Sequence, residues 1–403
     1  MGLSICWLAM YRSPRSCKHF PISVTSVPTP PNTYLRHWER QKRQLRHCVS
    51  LRIFRHGMKK GDMNMIRVAI VGLGFMGRMH LSIYGNLADT QITALCDSHK
   101  ENLDLSKQGG GNITVSGMKT DLSHARKFSD YREMLAAGGF DYVDLCIPTF
   151  LHREFAVLAM EAGFDVFCEK PMARTGTEAD EMVSVAKKTG KLLTIGQCLR
   201  FWPMYVKVKE LLESGEYGKV ISAELARYSP SPTWSVDGWM DDGELSGSAG
   251  LDLHIHDVDM IHYWFGAPNA VASSGVKAPG GGFGHIATIY DFPGKTVTSV
   301  GDWLCSDSFG LVMRALIVLE KAVINLDTSQ PNPLTVHVAG KGKFNPELDG
   351  RDGYYHEIRS FVDNVTSRKA PTVVTPESAM QSLKTVLAEI ESAERNEKII
   401  LEY

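Results

Sequence analysis

The sequence predicts an α/β protein in which a doubly wound parallel sheet precedes a second, mostly antiparallel sheet. Apolar, strand-like runs alternate with helical stretches from Ile66 onward, and a glycine-rich turn follows the first run. After Lys219, several strand-like runs follow one another without helices between them. We therefore expect two domains, at residues 63–200 and 201–403, which suits a chain of 403 residues with 43% hydrophobic side chains.

Residues 1–62 differ in composition from the rest of the chain. They carry 12 Lys and Arg against two acidic residues, whereas residues 63–403 carry 32 against 43. Because they show no sustained strand or helix pattern, we interpret them as a disordered tail or a gene-start artefact, with Met58, Met63 or Met65 as the natural start. An organellar transit peptide and a nucleic-acid-binding arm are the alternatives. The acidic body opposes a nucleic-acid partner.

Composition also argues against a membrane or disulfide-rich protein. No apolar run approaches the roughly 18–20 residues that cross a bilayer, so we expect no membrane partner. The eight cysteines contain no CxxC pair, and Cys96, Cys146 and Cys168 lie in strand-like runs. Buried, reduced thiols in a cytoplasmic protein are the simplest interpretation.

The segment MIRVAIVGLGFMGRMH places the pattern GxGxxG between a strand and a helix. Gly72 permits a tight turn, Gly74 lets the backbone approach a pyrophosphate, and Gly77 lets the helix pack closely on the strand. The N-terminus of the helix presents free N–H groups to that anion. The pattern in this context predicts a dinucleotide-binding turn.

A second strand ends in Asp97, where an acidic residue meets the ribose hydroxyls of a dinucleotide. Because a carboxylate there would repel a 2′-phosphate, the sequence favours NAD over NADP. The neighbouring Ser98, His99 and Lys100 could bind such a phosphate, so NADP stays possible.

The carboxyl ends of later strands carry further candidates, because ligands of parallel sheets bind beyond these ends. The predicted cofactor-binding residues are Gly72, Gly74, Phe75, Met76, Gly77, Asp97, Pro148, His152, Glu169 and Lys170.

Four motifs follow one another along the chain: GLGFMG, CIPTFLH, CEKP and SGSAGLDLHIHDVDMIHYWFG. Their order and spacing are those of the glucose–fructose oxidoreductase, inositol dehydrogenase and rhizopine-catabolism (Gfo/Idh/MocA) superfamily. From about Met65 to the C-terminus the chain resembles this family. The resemblance implies a Rossmann domain followed by an α/β domain with a large, mostly antiparallel open sheet for substrate and subunit contacts. It also implies a homodimer or homotetramer, and the C-terminal helix could pack back on the Rossmann domain.

The resemblance assigns catalytic roles to Lys170, Asp252 and His256. Where the family usually has glycine, two residues before the motif histidine, this chain has His254. We name Arg200, Trp234 and His254 as candidate substrate contacts, and we expect no metal. The predicted activity is NAD(P)-dependent oxidation of a secondary alcohol in a sugar or cyclitol, similar to that of an inositol 2-dehydrogenase.

The predicted chemistry follows from the residue types. His256 is the best base because an imidazole accepts a proton near neutral pH. Asp252 could orient that imidazole, and Lys170 could stabilise charge on the reacting oxygen. In the rival assignment Lys170 is itself the acid–base group, with its pKa lowered by burial.

Two other functional classes stay open at this point. His254 and His256 with Asp252 and Asp257 could form the metal cluster of a hydrolase. The chain could also be a dinucleotide-binding sensor without catalysis, because a fold alone does not imply turnover.

Overall fold

The computed structural model describes residues 65–105 and 122–402. Residues 1–62, interpreted above as a tail, lie outside the described part. The first sheet of the protein has six parallel strands in the order β3-β2-β1-β4-β5-β6. The strands are β1 (Ile66–Val71), β2 (Thr90–Cys96), β3 (Arg126–Phe128), β4 (Tyr142–Leu145), β5 (Asp165–Glu169) and β6 (Leu193–Gly196). The strand order reverses at β1, and ligands of doubly wound sheets bind at that point.

In the described part, four helices lie between these strands: α1 (Phe75–Tyr84), α2 (Tyr131–Ala137), α3 (His152–Glu161) and α4 (Gly176–Thr189). A fifth, α5 (Pro203–Glu213), follows β6 and lies in an apolar cluster with Leu225 and Val297 from later in the chain. The start of α4 is a capping box, in which Thr175 accepts from the Glu178 N–H and the Glu178 carboxylate accepts from the Thr175 N–H. It ends at Gly190, whose φ of 66° is the left-handed conformation that glycine tolerates best.

The second sheet has nine strands in the order β14-β13-β12-β11-β7-β10-β9-β8-β15. In the described part, its neighbouring strands pair antiparallel except for β7 and β10, which are parallel. The predicted fold class is therefore confirmed. The strands are β7 (Val220–Tyr228), β8 (Ala270–Lys277), β9 (Phe283–Phe292), β10 (Lys295–Asp302), β11 (Val312–Leu319), β12 (Ala322–Asp327), β13 (Leu334–Val338), β14 (Gly342–Phe344) and β15 (Ile399–Ile400).

One face of this sheet is buried and the other is open. The cross-strand row that includes Tyr290, Val297 and Ile317 lies in the core, whereas Ile289 and Leu316 in the neighbouring row are 59% and 42% exposed. This alternation is the pattern of a sheet covered on one side only.

The segment between β7 and β8 contains two helices, α6 (Gly243–Ser246) and α7 (Ile255–Phe265). Two more, α8 (Gly353–Ser367) and α9 (Pro376–Arg395), follow β14. Phe361 of α8 lies in the same apolar cluster as residues of β1 and α1. Lys384 of α9 forms an ion pair with Asp180 of α4. Chain from the C-terminal end thus packs against the first sheet and its helices.

No helix in residues 65–105 and 122–402 is long and apolar enough to span a membrane. The cysteines of the described part form no disulfide; they are Cys96, Cys146, Cys168, Cys198 and Cys305.

Candidate active site

A cavity of about 930 Å³ lies at the carboxyl ends of the parallel strands. Its walls come from the glycine-rich turn, from the ends of β2, β4 and β5, and from the segment that follows β7. This volume is in the upper part of the range that small-molecule sites occupy. We call the part near Gly74 and Asp97 the cofactor end, and the part near Lys170 and His256 the catalytic end.

The three glycines of the motif GxGxxG are glycine for different structural reasons. Gly72 has a φ of +84°, and a Cβ there would lie 2.3 Å from the Cys146 carbonyl oxygen. A Cβ on Gly77 would lie 1.8 Å from the Gly72 carbonyl oxygen, so any side chain would separate α1 from the turn. A Cβ on Gly74 would meet no protein atom within 4 Å, because Gly74 faces the cavity. The open space lies where the motif predicts a pyrophosphate.

The first turn of α1 has the features of an anion site. Gly74 is its N-cap, no side chain caps the helix, and no acidic residue lies in the first turn. Unsatisfied N–H groups and the helix dipole favour a negative group there. Phe75 and Met76, the first residues of α1, line the cavity. The residues present therefore fit a dinucleotide.

Asp97 lines the cavity at the end of β2 and is held in place by its neighbours. Its Oδ2 accepts from the Leu73 N–H at 2.8 Å, and its Oδ1 accepts from the His99 N–H at 2.8 Å. The Asn102 side chain donates to Oδ2 at 3.2 Å. The carboxylate is thus fixed beside the glycine-rich turn.

Of the predicted cofactor contacts at later strand ends, Pro148 and Glu169 line the cavity, but His152 does not. The His152 ring is buried, with Nδ1 2.7 Å from the Pro171 carbonyl oxygen and Nε2 2.8 Å from the Ile147 carbonyl oxygen. Burial lowers the pKa of His152 despite these two acceptors. The structure places this histidine as a link between two strand ends, so the cofactor-contact prediction for it is corrected.

Lys170, Asp252 and His256 meet at the catalytic end. The Lys170 Nζ lies 3.1 Å from Asp252 Oδ2 and donates to the Asp252 carbonyl oxygen at 2.9 Å. Burial and the positive charges of Lys170 and Arg227 lower the pKa of His256 well below its usual value. The imidazole is therefore neutral, with both of its nitrogens free of the charge that burial and these two cations disfavour.

A π-helical turn, Ala249–Leu253, sets the relative position of Asp252 and His256. The His254 N–H donates to the Ala249 carbonyl oxygen at 2.9 Å, and α7 begins at Ile255. The alternating sequence before Val258 is thus helical, although it resembles a strand. We expected Asp252 to orient the His256 imidazole; instead its carboxylate pairs with Lys170, and His256 Nδ1 is buried without a partner among the described residues.

Two predicted substrate contacts lie away from the cavity. Arg200 is buried and holds both carboxylate oxygens of Asp259, at 2.8 and 2.7 Å. His254 is also buried, with Nε2 2.9 Å from Glu389 Oε2 of α9. Both side chains already have buried partners. Through these contacts, Arg200 and His254 connect α7, the helix that carries His256, to α9 and its surroundings. The predictions for Arg200 and His254 are corrected accordingly.

The same contacts contradict the metal-hydrolase hypothesis. His254 faces Glu389, and Asp257 holds Arg227 with both carboxylate oxygens. In residues 65–105 and 122–402, the groups of ligand atoms close enough for a metal ion all include His80. The His254–His256 pair is not among them.

Trp234, a predicted substrate contact, lines the cavity, and its ring centroid lies 6.3 Å from that of Phe75 after the glycine-rich turn. Five residues further, Trp239 contacts Phe150, which follows β4, at 6.4 Å. The segment between β7 and α6 therefore lines the cavity and lies against residues that follow both β1 and β4.

Sequence reasoning missed Arg227, which lines the catalytic end and forms a buried ion pair with Asp257 at 2.9 Å. A signal existed, because Arg227 occupies a core-facing position of β7 after Ala223 and Leu225. Several aromatic and apolar lining residues were also missed because they come from distant parts of the chain. They are Trp202, Trp303, Met313 and Tyr354.

Comparisons with known proteins agree with this geometry. A family model described as an oxidoreductase family with an NAD-binding Rossmann fold matches residues 66–197. The model of the GFO/IDH/MocA C-terminal domain matches residues 205–324. The chain belongs to the Gfo/Idh/MocA oxidoreductase family. This membership confirms the predicted family, the enzyme class of NAD-linked oxidoreductase and the nicotinamide cofactor.

Several relatives are sugar or cyclitol dehydrogenases. A D-glucoside 3-dehydrogenase of Escherichia coli is 33% identical over 207 residues, which are 50% of this chain and 55% of that protein. A myo-inositol 2-dehydrogenase of Thermotoga maritima is 26% identical over 331 residues, 79% of this chain and 93% of that protein. The structure of levoglucosan dehydrogenase with NADH and levoglucosan has a TM-score of 0.73 at 19% identity and covers 84% of this chain and 100% of its own, which shows a shared fold.

Proposed function

We propose that this protein is an NAD-dependent dehydrogenase that oxidises a secondary alcohol of a neutral sugar or cyclitol, with inositol-like polyols as the first candidates. The observation that carries the proposal is the meeting of Lys170, Asp252 and His256 in the same cavity as a dinucleotide-binding turn. Relatives named as inositol and glucoside dehydrogenases support the substrate class.

The cofactor end would hold the dinucleotide through the Gly74 backbone and the N-terminus of α1. When bound, NAD supplies the hydride acceptor at the catalytic end. Asp97 would accept hydrogen bonds from the ribose hydroxyls, and its negative charge favours NAD over NADP.

Charge balance at the catalytic end supports a neutral substrate. The two cations that lower the His256 pKa are Lys170 and Arg227. Each is paired with an aspartate, Lys170 with Asp252 at 3.1 Å and Arg227 with Asp257 at 2.9 Å. A phosphate or carboxylate on the substrate would have to compete with these aspartates. Aromatic walls, including Trp303, suit the apolar faces of a sugar ring.

The proposed chemistry divides between two side chains. His256 accepts the hydroxyl proton as the alcohol is oxidised, because its imidazole is neutral in the folded protein. Lys170, held 3.1 Å from Asp252 Oδ2, donates a hydrogen bond to the reacting oxygen and stabilises negative charge that develops there. Asp252 thus acts through Lys170.

A screen of polyols and sugars for NAD reduction tests the proposal. It should include several inositol stereoisomers, aldoses, glycosides and phosphorylated sugars. We expect turnover of at least one neutral polyol, loss of that turnover in Lys170→Met, and near-normal turnover in Lys207→Met, which changes a lysine that does not line the cavity. A clear preference for phosphorylated sugars, or turnover that survives in Lys170→Met, would reject the proposal.

We also propose a homo-oligomer, by resemblance to the family and because the open face of the second sheet exposes Ile289 and Leu316. Light scattering at micromolar concentration should give a dimer or tetramer. A monomeric mass would contradict it.

A further inference from the structure

A buried cluster of ionisable side chains lies next to the strand end that carries Lys170. Four elements contribute to it: α1 provides His80, β4 provides Asp144, β5 provides Glu169 and α8 provides Glu357. Each of the four residues is less than a tenth exposed. The proposed chemistry uses none of them directly, so their burial needs another explanation.

His80 lies between two carboxylates. Its Nδ1 is 2.9 Å from Asp144 Oδ2, which also accepts from the Tyr84 hydroxyl at 2.8 Å. Its Nε2 is 3.1 Å from Glu169 Oε1, a close ion-pair contact without good hydrogen-bond alignment. The other oxygen of Glu169, Oε2, accepts from the Lys170 backbone N–H at 3.1 Å. A continuous chain of contacts thus runs from α1 to Lys170.

The charges of the cluster follow from burial and from its neighbours. Burial alone would lower the pKa of His80, but the charge of Asp144, together with hydrogen bonds to Asp144 and Cys146, outweighs it and the pKa is raised well above its usual value. Burial raises the pKa of Glu357 well above its usual value, and the charge of Glu169 adds to this. His80 is therefore an imidazolium, and Glu357 is a neutral acid.

We propose that His80 is a positioning residue that holds the Glu169 carboxylate, which in turn holds the backbone of Lys170 so that its amine meets Asp252. This role rests on the proposed dehydrogenase function. It connects α1, the helix that starts at the dinucleotide-binding turn, to the catalytic lysine through two buried residues, His80 and Glu169. His80 reaches neither substrate nor cofactor and acts only through Glu169.

A metal ion is the competing explanation for the same cluster. His80 Nε2, Glu169 Oε1 and the Glu357 carboxyl have no hydrogen-bond partners among the described residues, and their ligand atoms lie within 4.8 Å of one another. A metal would need Glu357 as a carboxylate. A protonated Glu357 needs no metal, so the two explanations differ in the charge of this residue.

Two substitutions of His80 separate its two contacts. Glutamine can place an amide near the Nε2 position and keep the Glu169 contact, whereas asparagine can place one near Nδ1 and keep only the Asp144 contact. We expect His80→Asn to lower kcat by about 10–100-fold, because a misplaced catalytic group costs about this much. His80→Gln should stay within about threefold of wild type. NADH affinity, measured by fluorescence, should change little in either variant.

Equal losses of kcat in the two variants at equal thermal stability would overturn the proposal, as would normal kcat in His80→Asn. If His80→Asn does not fold, Glu169→Gln replaces it. That variant keeps the shape, but its amide has a single accepting oxygen, which cannot face both His80 Nε2 and the Lys170 N–H, so it should also lower kcat by about tenfold or more. Normal turnover in Glu169→Gln would overturn the proposal.

Glu357→Gln tests the protonation state directly, because the amide resembles a neutral acid. We expect activity within about threefold of wild type and no stoichiometric metal in the purified protein. A bound divalent metal that is lost in Glu357→Gln would overturn the positioning role.

A measurement without substrate separates this inference from the proposed function. Acylation of Lys170 by a small reagent, followed by peptide mass spectrometry, reports the environment of its amine. We expect faster labelling in His80→Asn than in wild type or His80→Gln. If wild type oxidises no sugar but this difference appears, the proposed function fails and the inference holds. Unchanged labelling in His80→Asn overturns the inference.

Discussion

The two ends of the cavity differ in which atoms form their walls. At the cofactor end, the backbone of Gly72, Gly74 and the first turn of α1 forms the wall. At the catalytic end, the wall consists of side chains held in ion pairs, such as Lys170 with Asp252. A backbone site depends on the absence of side chains, whereas a site of paired charges depends on both partners. The two ends should therefore fail in different ways when they are altered.

The largest expected effect is a difference in stability between alanine substitutions at two glycines of the same motif. Gly77→Ala should lower the free energy of unfolding by about 3 kcal/mol or more, because its Cβ would lie 1.8 Å from the Gly72 carbonyl oxygen. Gly74→Ala should keep its stability within about 1 kcal/mol, because nothing in the protein lies near its Cβ. Its methyl group would instead enter the pyrophosphate space, and NADH affinity should fall about tenfold.

Thermal unfolding and NADH titration check this pair. If Gly74→Ala bound NADH as well as wild type, the backbone of the turn would not form the cofactor site.

The helix α7, which carries His256, should make stability depend on pH through partly buried His262. Burial lowers its pKa to about 4, although the nearby Asp259 acts in the opposite direction. In the unfolded chain the pKa returns to about 6.5, so between about pH 6.5 and 4 the unfolded state binds more protons and stability falls as pH falls. His262→Gln removes this contribution and keeps an amide to face Thr385.

The stability of His262→Gln relative to wild type should therefore be about 2 kcal/mol more favourable at pH 5 than at pH 7. Urea unfolding at both pH values measures it. Because the comparison is a difference between two proteins, other titrating groups cancel, and an equal difference at both pH values would contradict a lowered pKa for His262.

A smaller effect concerns cofactor choice. Asp97→Asn should reduce the preference for NAD over NADP by about tenfold, because the repulsion of a 2′-phosphate is lost while the shape is kept. Asn102→Ala is the matched control, since it removes a neighbour of Asp97 and leaves the charge. The ratio of kcat/KM values with the two cofactors measures the preference. An unchanged ratio in Asp97→Asn would show that Asp97 does not select the cofactor.

The cofactor end and the catalytic end also differ in how they could be predicted from the sequence. The glycine spacing and Asp97 lie within one strand–turn–helix–strand unit, so the cofactor end could be located from local pattern. The resemblance named Lys170, Asp252 and His256, and the structure brings them together.

Arg200 and His254 show where the sequence was insufficient. Both have residue types that suit a polar substrate. Their partners lie 59 and 135 residues away in the chain, Asp259 for Arg200 and Glu389 for His254. Buried charges require partners, but pattern alone does not say which residues will meet. The exposure of a charged side chain is therefore the property that only the folded structure supplies.

Turnover and cofactor binding of His256→Ala, measured on the same preparation, test the central claim most directly. If His256 accepts the substrate proton at the catalytic end, kcat on the best polyol should fall by about 10²–10⁴-fold. NADH affinity should be unchanged, because the cofactor end is built from other residues. A His256→Ala protein that turns over its polyol within about threefold of wild type would contradict the assignment of His256 as the base.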